Sequence, residues 1–183
     1  MSQVIKRITP LAFFLTLTFG VHGAPKKAPL LRPVSNINYP AFQELSGEAY
    51  AYRKDRRVPL ETFLSMSQDK NTIILDTRSA SAYRRRHLKG AVHLNFSDFT
   101  TEKLAKVIPS KTTRILIYCN NNFEDDPINF QAKSAPLALN IPTFINLYGY
   151  GYKNIYELKD LISIKDRAVR FEGTDKSLQQ AES

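Results

Sequence analysis

Arg114-Ile115-Leu116-Ile117-Tyr118-Cys119 is the stretch on which the fold turns. Its run from Ile115 to Tyr118 has no polar face, and a strand apolar on both sides belongs inside a parallel sheet covered by helices. The run delivers the only cysteine of the chain at its carboxyl end, and the residues that follow, Asn120 to Asp126, are polar and break any regular pattern. In open α/β sheets, sites form outside the carboxyl ends of the strands. The segment therefore predicts a central strand and, at its tip, a thiol bordering a site.

Working outward, Thr72-Ile73-Ile74-Leu75 is a second β-branched run, ending at Asp76. Pro59 opens a predicted helix through Met66, since proline suits the first helical turn. Ser79 to Arg86 reads as a short helix, followed by a turn around Gly90 and a strand over Ala91 to Phe96. Ser97 or Asp98 then caps a helix from Thr101 to Val107, stopped by Pro109. Ser134 to Tyr150 is broadly helical, split or kinked by Pro136 and Pro142. Asn154 to Leu158 is the last strand, and Ala49 to Arg53 a short first one. Alternating strands and helices with short links imply an α/β domain on a mainly parallel sheet. The expected boundaries are a loosely structured lead-in over 24–47, punctuated by prolines, a domain over 48–171 and a frayed polar tail over 172–183.

The first residues read as an address. Lys6 and Arg7 precede an apolar run from Leu11 to Val21, which closes on the small residues Gly23 and Ala24. This order is that of a secretory signal peptide, with cleavage expected after Gly23. The run is short of the roughly 20 apolar residues a bilayer span needs, so no transmembrane segment is expected in the mature protein. An exported protein, periplasmic or secreted, follows as an expectation. The chain holds 26 basic and 17 acidic residues, a net charge of +9. Removing Lys6 and Arg7 leaves 24 against 17, near +7. That balance favours small anions or an anionic surface. Nucleic acid is not an expected partner of an exported chain. The basic run Arg84 to Arg86 reads first as a solvated face.

With one cysteine no intramolecular disulfide can form, although an oxidising compartment would permit it. Cys119 is then either a small buried hydrophobe or a reactive thiol. Its place at a strand end lets successive backbone N–H groups face the sulfur. Such donors stabilise the thiolate and pull the thiol below its usual pKa of about 8.5.

The stretch Asp76-Thr77-Arg78-Ser79-Ala80-Ser81-Ala82-Tyr83-Arg84-Arg85-Arg86-His87-Leu88-Lys89-Gly90-Ala91 resembles the rhodanese-family signature of Asp-x-Arg, Glu-Tyr and Gly-His-Ile-x-Gly-Ala. Matches fall at Asp76, Arg78, Tyr83, His87, Gly90 and Ala91. The strand into Cys119 is similar to the family's strand into its catalytic cysteine, and Gly151-Tyr152-Lys153-Asn154-Ile155 to its Gly-Tyr-x-Asn-Val segment. The resemblance implies a rhodanese-like three-layer α/β domain with a mainly parallel central sheet. It also implies a sulfurtransferase that carries sulfur as a persulfide on Cys119, with no metal or organic cofactor. The implied partners are a small anionic sulfur donor such as thiosulfate and a thiophilic acceptor. Asn120, Asn121, Asn122, Phe123 and Lys133 are the expected substrate-binding residues, and Asp76, Arg78 and His87 the expected supports.

The chain also departs from the pattern. The acidic residue before the tyrosine is Ala82, and the glycine before the histidine is Arg86. The loop after Cys119 is long and acidic through Glu124, Asp125 and Asp126, and its first basic residue is Lys133. Carboxylates facing the thiol would oppose its ionisation. The alternative is therefore a non-catalytic rhodanese-like module that docks a protein partner through this loop. No arginine follows Cys119 before Arg167, which argues against a phosphate-gripping cysteine loop.

Overall fold

The computed structural model describes residues 34–175, and the segment read as a signal peptide lies outside the described residues. Strand β5 (Arg114–Tyr118) occupies the centre of a five-stranded sheet. It pairs in parallel with β2 (Thr72–Asp76) on one side and β7 (Ile155–Leu158) on the other. Beyond them lie β4 (Val92–His93), beside β2, and β1 (Arg57–Val58), beside β7, again in parallel. The alternation of side chains along β5 divides the core between the two faces. Leu116 and Tyr118 pack with Phe63, Ile74 and Leu158, and Ile115 and Ile117 pack with Leu75, Leu104, Phe144 and Leu147. The three expected layers are those observed.

The helices begin where short polar side chains accept orphan N–H groups. Ser79 caps α3 (Ala80–Arg85) by accepting from Ala82 N at 3.3 Å, and Thr100 caps α4 (Thr101–Val107) by accepting from Lys103 N at 3.2 Å. Pro59 precedes α2 (Leu60–Ser67), as the sequence predicts. The cap of α4 is thus neither Ser97 nor Asp98, which belong to a 3-10 turn over Phe96–Asp98. That turn also cuts the strand expected over Ala91 to Phe96 down to β4. Pro136 sits in a separate 3-10 turn, Ala135–Leu137, and Pro142 in the first turn of α5 (Asn140–Gly149).

Two expectations need correction. The lead-in over 24–47 and the strand over Ala49 to Arg53 are replaced, within the described residues, by one helix, Tyr39–Arg53, here α1. Asn38 accepts from Ala41 N at 3.0 Å, and Pro40 stands in the first turn. Proline there starts a helix rather than marking a loop. The compact unit accordingly begins at Asn38. α1 buries Ala49 and brings Arg53 to Glu157 on β7.

The start of the tail is the second correction, for residues 172–175; residues 176–183 lie outside the described residues. Ile155–Leu158 is not the last strand, since β8 (Ile162–Ser163) pairs with β6 (Phe123–Glu124), and β9 (Phe171–Glu172) pairs antiparallel with β3 (His87–Leu88). Thr174 N and Asp175 N then bond the carbonyls of Arg84 and Arg85 at 2.9 and 3.0 Å. Apart from Ile162 and Phe171, which pack into the core, these residues are polar, and their placement rests on pairing with distant segments that no hydropathy pattern announces. No helix among the described residues is long and apolar enough to cross a membrane.

Candidate active site

β5 sets Cys119 at its carboxyl end with 2% of its surface exposed. The chain then tightens into a 3-10 turn over Asn120–Asn122, in which Asn122 N bonds Cys119 O at 3.1 Å. Helix α5 starts beside this turn, anchored to the end of β2 by the Thr77 and Thr143 hydroxyls, 2.9 Å apart. Backbone N–H groups of Asn140, Asn121 and Leu139 face the thiol and favour its thiolate. Burial opposes them and is the larger effect, and the Glu157 carboxylate adds to it, so the thiol is pushed above its ordinary value.

The loop carboxylates do not supply that repulsion. Asp126 is buried against Arg86 at 2.8 Å and accepts from Asn129 N and Nδ2. Asp125 accepts from Ser163 Oγ at 2.6 Å, and Glu124 is exposed. Arg86, in the place of the expected glycine, thus holds the long loop down. Asp175 joins it, 3.5 Å from Arg86 and 2.6 Å from Asn129 Nδ2. The reading of Arg84 to Arg86 as a solvated face holds for Arg84 and Arg85 and fails for Arg86, which is buried.

Arg78 is the second organiser. Its guanidinium binds both Asp76 oxygens, at 3.0 Å through Nε and 2.6 Å through Nη2, and donates to Arg86 O at 2.7 Å and Asn129 O at 3.2 Å. It lies over the Phe130 ring at 4.6 Å. Burial works against its charge, but the hydrogen bond and charge of Asp76 outweigh it and raise its pKa. With Ala82 in place of the acidic residue, Asp76 supplies the pairing from within the same strand end. Tyr118 completes the group by donating to Asp76 Oδ2 and accepting from Leu88 N. His87 donates its Nδ1–H to Tyr83 O at 2.7 Å and stacks on the Tyr83 ring, 3.9 Å between centroids. It supports the turn before Gly90 and stands away from the cleft.

A cleft of about 240 Å³ opens over the turn that follows Cys119, with Arg78, Ser79, Asn120, Asn121 and Lys133 on its polar wall and Ala82 and Leu139 on its apolar one; Cys119 itself does not line it. Lys133 arrives there because Asn121 pairs with its backbone reciprocally, Nδ2 to Lys133 O at 2.6 Å and Lys133 N to Oδ1 at 3.0 Å. Asn120 holds the same returning segment through Gln131 O at 2.9 Å. Three of the five expected binding residues therefore meet at the cleft. Asn122 and Phe123 do not: both are buried, Phe123 among Tyr118, Phe130 and Phe171, and Asn122 beneath the cysteine. The polar run hid this because burial inside a loop depends on partners distant in sequence.

The family model for the Rhodanese-like domain matches residues 60–160, more than half the chain. The chain belongs to the rhodanese-like family. Membership of this sulfurtransferase-type family accounts for the layer order, with Cys119 at the tip of the central strand. Among solved structures, the BH2092 protein from Bacillus halodurans aligns with a TM-score of 0.51 and 17% identity, over 74% of this chain and 90% of that one. A rhodanese with anions from E. coli aligns with a TM-score of 0.38 and 19% identity, over 56% of this chain and 99% of that one. The Alr3790 protein from Anabaena gives 0.46 and 17%, over 68% and 88%. No curated protein sequence matches the chain.

Reasoning from sequence missed Leu139, Asn140, Glu157 and the Arg86–Asp126 pair. An acidic residue inside the apolar run Ile155 to Leu158 was a usable sign, because a buried carboxylate demands a cation. The N–H groups of α5 carried no such sign.

Proposed function

We propose that this rhodanese-like protein is an exported sulfurtransferase that carries sulfur as a persulfide on Cys119. The observation that carries the reading is the convergence of the Asn121, Leu139 and Asn140 N–H groups on a strand-end thiol, next to a cleft bearing Lys133 and Arg78. In the reaction, Cys119 loses its proton to solvent and the thiolate attacks the outer sulfur of thiosulfate. A sulfur–sulfur bond forms to Cys119, the bond to the sulfonate sulfur breaks, and sulfite leaves with the electron pair. A thiophilic acceptor then takes the outer sulfur and returns the thiolate. The N–H groups stabilise negative charge on either sulfur. Arg78 spends its donors on Asp76, Arg86, Asn129 and Asn120, so Lys133 is the cation available to the donor anion. The basic, apolar and small residues of the first 24 positions support work outside the cytoplasm.

A second reading has its own observation. The thiol is nearly closed off, while Ile128 on the long loop and Leu137 in the 3-10 turn after it stand 79% and 68% exposed. A non-catalytic module docking a protein through that loop would look like this. Intact mass after thiosulfate treatment separates the two. One added sulfur on the native protein, removed by cyanide and absent from Cys119→Ser, supports the carrier. No adduct on a thiol shown to be free leaves the docking module.

A further inference from the structure

We infer that Asn122 is a positioning residue that sets the Cys119 sulfur against the start of helix α5; the inference rests on the sulfur-carrier reading of that site. Its carboxamide joins three separate segments. Oδ1 accepts from Cys119 N at 2.9 Å and from Asn140 Nδ2 at 3.2 Å. Nδ2 donates to Leu158 O at 2.9 Å and Asp160 O at 3.1 Å, at the carboxyl end of β7. Both donor hydrogens and two acceptor directions are thereby used, which is the full capacity of an asparagine side chain.

The geometry has a chemical consequence. Cys119 N and Asn140 Nδ2 share one oxygen, so the cysteine backbone and the first residue of α5 are fixed to a common point. Of the three N–H groups that face the sulfur, those of Leu139 and Asn140 adjoin that point, and that of Asn121 belongs to the turn itself. Loss of the Asn122 oxygen frees both partners, and the sulfur and its donors drift apart. The grip from Leu158 and Asp160 keeps the amide from rotating, so the oxygen cannot turn away. Asn140 Oδ1 is buried without a hydrogen-bond partner, so this side chain holds α5 through Asn122 alone, one turn before the Thr143 hydroxyl meets Thr77. Other side chains of the loop, Asn120 and Asn121, fasten the returning segment at Gln131 and Lys133 and do not touch this frame.

The test is the rate of Cys119 alkylation by iodoacetamide from pH 6 to 10, in the native protein, Asn122→Ala and Asn140→Ala. This readout uses no sulfur donor, so it stands or falls separately from the persulfide reading. Asn122→Ala moves the profile up by about one pH unit, roughly tenfold slower alkylation below the midpoint, because the thiolate loses its donors. Asn140→Ala, which breaks one arm of the frame, moves it the same way by less. Melting temperature is measured alongside. A profile that stays in place while the melting temperature falls, or one that moves to lower pH, overturns the proposal and leaves Asn122 a loop staple. If Asn122→Ala does not fold, Asn140→Ala alone decides by the same criterion.

Discussion

Cys119 sits in a contest between burial and backbone donors, and the balance is set by single residues around it. Burial and Glu157 hold its thiol above the ordinary range, so free thiol predominates at neutral pH. Alkylation of the native protein should be slow at pH 7 and climb steeply above the usual thiol midpoint, which a pH series of adduct formation checks. Tyr118 is a sharper case. Burial, with the Asp76 charge, pushes its phenol well above its ordinary value. The folded state keeps a proton that the unfolded chain loses near pH 10. The resulting stability is whole below that pH and declines as pH rises past it. Tyr118→Phe should flatten that alkaline decline in urea midpoints, while costing about 1.5–3 kcal/mol at pH 7 for the lost bond to a carboxylate. Asp76→Asn is more severe. It strands the Arg78 guanidinium, 4% exposed, and removing one partner of a buried pair costs about 3–5 kcal/mol by denaturant titration.

The long loop after Cys119 is an element held from outside itself. It has one short strand, β6, and takes its shape from Arg78, Arg86 and Asp175 acting on Asp126 and Asn129. Arg86→Gly, which restores the residue of the family pattern, should release it. Hydrogen exchange over 123–133 should quicken, with a stability loss near the lower end of the about 3–5 kcal/mol expected for unpairing a buried carboxylate. Unchanged exchange there would mean that Arg78, Asp175 and the two asparagines hold the loop without Arg86. The acidic composition of this segment points to repulsion of a thiolate, yet its buried carboxylate is spent on an arginine from α3's far end. Charge counted along the chain and charge felt at the sulfur are different quantities, because low-dielectric pairing cancels the first before it reaches the second.

Over the whole molecule, the sheet carries the site and the carboxyl-terminal segment straps it. β9 covers the aromatic cluster of Phe123 and Phe130 with Phe171, ring centroids 5.4 and 5.6 Å away. Gly173 follows with φ of 143°, and a Cβ there would stand 2.2 Å from Arg85 O. Gly173→Ala should therefore lift the strap, costing about 1–3 kcal/mol and exposing the Thr174 and Asp175 amides to faster exchange. Unaltered exchange would show that the backbone absorbs the methyl. How much of this is written in the chain divides along a physical line. Residues 72–76, 114–118 and 155–158 declare themselves as strands, because burial on both faces demands an apolar run and nothing distant is needed to read it. Asp76, Arg78 and Cys119 at the strand ends follow from the same runs, as does the mainly parallel sheet, while the three-layer order comes from the family resemblance. The helix from Tyr39, the strand at Phe171, the burial of Asn122 and Phe123, and the pairing of Arg86 with Asp126 do not. Each depends on partners tens of residues away, and a hydrogen bond or ion pair leaves no periodicity behind. Local pattern thus settles where the cysteine is delivered, while long-range polar pairing settles what surrounds its sulfur.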